Sequence, residues 1–227
     1  MEATRVGNFS SSEIHKLMGA PKPRATYIAE KQMELRLNRP LSVESNSKPT
    51  NWGTFIEKRA FDLLGFEYAL VSQKRLSHPT VPHWTGAPDC VSADTVVDIK
   101  CPFTLKAFCE LVDTMNKGLA DFIKEYPEYY WQLISNSILT GLKFAELVVY
   151  CPYKSELEEI KDMTRNFIGD QNKVAFIGFA NDDELPYLVD GGHYKNLNKL
   201  RFPVIEIDQA ELTNEVIEAG KLLIKPL

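Results

Sequence analysis

Long apolar runs, a basic surplus and clustered cysteines are all missing from this chain of 227 residues. The densest apolar stretch, Leu147-Val148-Val149-Tyr150-Cys151, falls far short of the roughly 20 residues that cross a bilayer, so no membrane span is expected. The opening Met1-Glu2-Ala3-Thr4-Arg5 lacks the apolar core of a signal peptide. The four cysteines, Cys90, Cys101, Cys109 and Cys151, have no Cys-x-x-Cys spacing. That argues against a zinc or iron–sulfur site and for buried free thiols in a reducing cytoplasm. The four histidines, His15, His78, His83 and His193, match no zinc pattern either. Basic residues do not dominate: 26 Lys+Arg face 31 Asp+Glu, a formal net charge of −5. This total excludes a surface coated in basic patches but leaves room for a local basic groove on nucleic acid.

What is present reads as one domain over residues 1–227, with enough apolar and aromatic side chains (44% and 11%) to bury a core without staples. Ser10 and Glu13 have capping-box spacing and open a short helix toward Met18, which Pro21 and Pro23 stop. The basic stretch 16–39 reads as a solvated helix face, and 42–50 as a polar loop. A helix is expected over 51–64, with Trp52, Ile56 and Ala60 on its core face and Gly65 after its end. Strands follow at 68–71, 84–91 and 95–100 as an antiparallel set. Then come helices at 104–115 and 119–140, a buried strand at 146–150 and a helix capped by Ser155 and Glu158. Residues 180–201 read as loop, 204–207 as a strand, and Asp208 and Glu211 open a last helix to 224. The expected fold class is α/β, with a mixed central sheet flanked by helices.

The chemistry concentrates in Gly86-Ala87-Pro88-Asp89 and Val96-Val97-Asp98-Ile99-Lys100. Alternation along a strand puts Asp98 and Lys100 on one face and Val97 and Ile99 on the other. A short hairpin brings Asp89 beside Asp98. Two adjacent carboxylates repel, and a hard divalent cation removes the repulsion with oxygen ligands. Lys100 then stands where it can orient or deprotonate a nucleophilic water and balance charge on a phosphate. Glu57 can reach the same place from its helix as a ligand or just behind one, and Gln132 can hydrogen-bond the water or a phosphate. Tyr126, Tyr129, Tyr130 and Trp131 read mainly as core packing, and Cys101 as packed behind the strand.

These residues resemble the PD-(D/E)XK nuclease superfamily, and within it the phage lambda exonuclease and YqaJ-like viral recombinase branch. The resemblance rests on Trp52-Gly53-Thr54-Phe55-Ile56-Glu57, Pro88-Asp89, Asp98-Ile99-Lys100-Cys101-Pro102-Phe103, Gln132 and the 5–13 segment. It implies a restriction-endonuclease-like core and a Mg²⁺-dependent phosphodiesterase that digests one strand of linear duplex DNA from a 5′ end. The 3′ tails so formed serve recombination through a phage single-strand annealing protein in the bacterial host cytoplasm. By position, Glu57, Asp89, Asp98 and the carbonyl of Ile99 are the implied metal ligands for two Mg²⁺ ions, with Mn²⁺ as a substitute. Lys100 and Gln132 complete the implied catalytic set. Arg5, Ser10, Ser12 and Lys48 are the implied DNA and phosphate contacts, and a homotrimeric ring is the implied assembly. Asp98 replaces the lambda-type Glu, and Thr50 stands where the family has an apolar wedge. A structure- or sequence-specific endonuclease of the same superfamily is the alternative.

Overall fold

The computed structural model describes residues 5–41, 46–71 and 75–223. The chain runs β1 (Phe9–Ser10), α1 (His15–Met18), α2 (Pro21–Leu37), α3 (Lys48–Asp62), β2 (Ala69–Leu70), β3 (Leu76–Ser77), β4 (Trp84–Gly86), β5 (Cys90–Val91) and β6 (Thr95–Lys100). It continues through α4 (Leu105–Lys117), α5 (Leu119–Glu125), α6 (Pro127–Thr140), β7 (Phe144–Tyr150), α7 (Leu157–Arg165), α8 (Ala175–Gly178), β8 (Leu197–Pro203) and α9 (Glu206–Leu223). The main sheet has the order β2-β5-β6-β7-β8, with β6 and β7 parallel and the other pairs antiparallel. A small second sheet orders β1-β4-β3. The expected mixed sheet between helices is thus present.

Helices cover the main sheet on both faces, so β6 and β7 are apolar on each side rather than on one. Val96, Ala145, Leu147 and Val149 join the core that contains Phe108 and Leu133 from α4 and α6. Val97, Ile99, Val148 and Tyr150 join a second core with Trp52, Phe55 and Ile56 from α3 and Leu157 and Ile160 from α7. Asp98 is therefore a carboxylate on a strand whose two faces are both core, and only 1% of it is exposed. Such a position is costly unless the charge is compensated.

Several sequence expectations need correction. Residues 84–91 are two strands in different sheets: β4 pairs with β1 and β3, the chain crosses at Ala87-Pro88-Asp89, and β5 pairs with β2 and β6. The 119–140 helix is broken at Tyr126, because Pro127 lacks an N–H and starts a new helix. Pro21 likewise starts α2 rather than only stopping what precedes it. Ser10 gives no side-chain cap, and Ser155 bonds Asp190 instead of capping α7. The α3 helix begins at Lys48 on Ser47, whose hydroxyl accepts from Thr50 N–H at 3.3 Å, so Lys48 to Thr50 are helical. The strand expected at 204–207 lies earlier, as β8, which begins inside the expected 180–201 loop and ends at Pro203. Residues 42–45 of the expected loop and Ile224 fall outside the described residues.

The 16–39 stretch is also not simply a solvated face. Lys31 and Glu34 are buried and paired, Nζ to Oε1 3.1 Å, and Glu34 Oε2 accepts the N–H of Gly7 at 3.0 Å. Gly7 has φ +64, and a Cβ there would collide with Leu35. The buried pair thus braces the 5–12 segment against α2. No described helix is long and apolar enough to cross a membrane.

Candidate active site

The register of β5 on β6 pairs Cys90 with Val97. Continued by one residue, it sets Asp89 opposite Asp98 on a shared face. Asp89 Oδ2 accepts the N–H of Ile99 at 2.6 Å, which ties the end of the Pro88-Asp89 crossover to the strand that carries Asp98. On the same face of β6, α6 packs across and brings Gln132 down onto Asp98. Gln132 Nε2 donates to Asp98 Oδ1 at 2.6 Å, and Lys100 Nζ donates to Gln132 Oε1 at 3.3 Å. The Lys100 ammonium also lies 2.5 Å from Asp98 Oδ2, but off the direction a hydrogen bond needs. That oxygen is buried, has charge beside it and accepts no hydrogen bond.

Glu57 approaches from α3. The site opens into a cleft of about 590 Å³ whose walls include Gly53, Glu57, Ile99, Lys100, Cys101, Tyr126 and Tyr129. Burial, and then the charge of Asp98, push the Glu57 carboxyl up to about 7. Burial, Asp98 and Glu57 together push Asp89 up to about 8. Lys100 moves the other way from what burial alone would do: the Asp98 and Asp89 charges outweigh burial and raise it, so it is held as an ammonium. Cys101 lines the cleft, but burial and then the Glu57 charge raise its thiol far above the ordinary value. It is not a thiolate nucleophile. All four cysteines are free.

Does a divalent cation fit these residues? As the side chains stand they form no closed cage: no three described His, Cys, Asp or Glu side chains converge as a preformed metal group. The donor set nonetheless suits a hard cation. Burial and then the Asp98 charge raise both Glu57 and Asp89, and Asp98 Oδ2 is buried with the Lys100 ammonium against it. Oxygen donors of this kind are what Mg²⁺ takes.

The implied DNA contacts are less gathered. Ser10 is buried, its N–H bonded to Tyr27 Oη at 3.2 Å, and its hydroxyl meets that of exposed Ser12 at 3.2 Å. Neither serine lines this cleft. Arg5 lies in a second cleft, and Lys48 Nζ sits 5.6 Å from the ring centre of Phe176. Tyr129, read from the sequence as packing with base stacking as the alternative, does pack against the core and also faces the site: Lys100 Nζ is 5.1 Å from its ring centre, and it stacks on Tyr126 at 5.8 Å. The signal was available, since Tyr129 precedes Gln132 by three residues and so shares its helix face.

The chain is similar to the crystal structure of an alkaline exonuclease from Laribacter hongkongensis, with 19% identity and a TM-score of 0.64 over 96% of this chain and 89% of that one. That enzyme has also been solved in complex with dAMP, with the same measures of likeness. A phage-related exonuclease from Haemophilus somnus 129PT is similar at 15% identity and a TM-score of 0.65, over 95% of this chain and 93% of that one. At such identities the likeness is one of fold. No curated protein matches. The family model for the YqaJ-like viral recombinase domain matches residues 2–143, a span that includes Glu57, Asp89, Asp98, Lys100 and Gln132. That span is more than half of the chain, and the protein belongs to the YqaJ-like viral recombinase domain family.

Proposed function

We propose that this protein is a Mg²⁺-dependent exonuclease that digests one strand of linear double-stranded DNA in the 5′→3′ direction, leaving 3′ single-stranded tails for recombination by strand annealing. The observation that carries this reading is the linkage of Asp98, Gln132 and Lys100 side chain to side chain, with Asp89 bonded to the backbone of the same strand, and Lys100 and Glu57 lining one open cleft beside them. Glu57, Asp89, Asp98 and the Ile99 carbonyl would hold the cation, with Mn²⁺ able to replace Mg²⁺. When bound, a divalent cation lowers the pKa of a water and neutralises charge on phosphate oxygens.

The remaining work belongs to the chain's own side chains. Asp98 and Gln132 fix the Lys100 ammonium at the cleft wall. Its raised pKa keeps it an ammonium, a hydrogen-bond donor and charge partner for the phosphate and the water, rather than the group that takes the water's proton. Gln132 spans Asp98 and Lys100, so it sets the angle between the acid and the amine. Tyr129 and Tyr126 offer ring faces beside the ammonium, where a sugar or base can pack.

The proposed partners are DNA ends, further copies of the chain in a trimeric ring and a phage annealing protein, in the cytoplasm of a bacterial host. The deciding experiment compares a linear duplex labelled at its 5′ ends with a covalently closed circle, in Mg²⁺ and in EDTA. The expected result is loss of 5′ nucleotides from the linear duplex in Mg²⁺ alone, with the circle intact. Cutting of the circle would turn the assignment to an endonuclease of the same fold.

A further inference from the structure

A second cleft, of about 310 Å³, shares a wall with the first. Thr50 and Thr54, on the opening turns of α3, line both clefts. The other walls of the second cleft are Arg5, Asn51, Phe55, Phe167, Lys173 and Val174. Two cations and no carboxylate line it, against the grain of a chain with net charge −5. The cations come from parts of the chain far apart in sequence. Phe167 packs edge-on against Phe55 with ring centres 5.6 Å apart, which fastens the segment leading to Lys173 onto α3. Lys173 ends a short 3₁₀ turn, is half-buried and makes no ion pair among the described residues. Its segment lies beyond the 2–143 family match.

Lys173 is half-buried and no described carboxylate pairs with its ammonium, so an anion entering the cleft would meet a cation that is not already matched. The N-terminal end of α3, a 15-residue helix, adds positive potential at the same wall. Both features favour an anion, and the shared threonine wall makes the second cleft a continuation of the first.

We propose that this cleft binds a backbone phosphate of the DNA strand that enters the catalytic cleft, with Lys173 as its charge contact. This rests on the nuclease reading for the identity of the ligand. Neighbouring phosphates of one strand would then lie on the two sides of Thr50 and Thr54. Lys173 holds the strand and takes no part in bond breaking.

The test is equilibrium binding of a labelled linear duplex to the full chain in EDTA, over a series of salt concentrations, beside the cutting assay in Mg²⁺. Lys173→Ala is expected to weaken binding about threefold to tenfold at low salt and to reduce the slope of log K against log salt by about one. Lys173→Glu should weaken it further, and Lys173→Arg should restore it. Lys221→Ala, which removes an equal charge paired with Glu218 on α9, should leave binding at the wild-type level. If the wild type binds and cuts while Lys173→Ala and Lys173→Glu match it in affinity and slope, the second cleft is not a phosphate site and the nuclease reading stands. If the wild type neither binds nor cuts DNA, both fall together. A thermal-shift arm uses inorganic phosphate alone. Lys173-dependent stabilisation there, with duplex binding unchanged by the variants, overturns the assignment to DNA.

Discussion

Lys100 is the residue on which the proposed chemistry turns. It reaches Asp98, Gln132 and the face of Tyr129 at once, so its ammonium is held in one place at the cleft wall. Lys100→Ala is expected to cut the rate by at least about 100-fold, the scale of a lost charge-stabilising donor, while duplex binding stays within about twofold. Near-normal turnover in that variant would remove Lys100 from the mechanism. The acids supply a second test. A carboxyl whose folded pKa lies above its unfolded value keeps its proton better when folded. Stability from Asp89 and Glu57 is therefore greatest at low pH and falls as pH rises from about 4 through about 7 and 8. A divalent cation relieves the repulsion between the ionised forms. The Mg²⁺-induced rise in Tm should accordingly be larger at pH 8.5 than at pH 5, and Asp89→Asn should shrink it. Equal shifts at both pH values, measured by scanning calorimetry in Mg²⁺ and EDTA, would contradict the assignment of these acids to a cation.

At the scale of elements, the site depends on how β4, β5, β6 and α6 meet. The β5–β6 part was legible in the sequence, because an antiparallel turn at 92–94 and strand alternation fix both the register and the shared face of Asp89 and Asp98. The division of 84–91 between two sheets was not. Trp84, Thr85, Cys90 and Val91 read as one continuous strand, although Gly86 and Pro88, which cannot donate to a ladder, hint at the crossing. The strand β8 was hidden for another reason: it is an edge strand carrying Lys199 and Arg201, and edges favour charge over clean alternation. The clefts were illegible because their walls join residues as distant as Arg5 and Lys173. Gly86 carries the third prediction. A Cβ there would lie 2.2 Å from Ser11 Oγ, 2.6 Å from Leu139 Cδ1 and 2.7 Å from Asn136 Oδ1, all in the buried junction of β4 with α6. Gly86→Ala should destabilise the fold by about 1–3 kcal/mol through overpacking, read from urea denaturation. It should also slow cutting, since Asp89 follows three residues later. Unchanged stability would mean that the junction yields, and that it does not set the position of Asp89.

At the scale of the molecule, the question is how a chain with net charge −5 stays on a polyanion. The proposed phosphate cleft would give some contact, but phosphate contacts weaken steeply as salt rises. A closed ring around the duplex replaces much of that affinity with topology, because a threaded ring must open or run off an end to dissociate. The proposed trimer therefore predicts two different salt responses. Loading onto a free end, which depends on encounter and phosphate contact, should fall steeply between 50 and 200 mM salt, on the order of tenfold or more. Digestion by rings already loaded should continue for long tracts at the higher salt. The measurement is a pulse of loading at low salt, followed by Mg²⁺, added salt and an excess of unlabelled duplex as a trap, with tract length read on a gel. Light scattering on the same sample should give three chains per particle. If tract length collapses with salt as steeply as loading does, the enzyme holds DNA by contact alone. A monomer by light scattering that nonetheless cuts long tracts would assign processivity to the clefts of a single chain, and Lys173→Ala would then shorten the tracts.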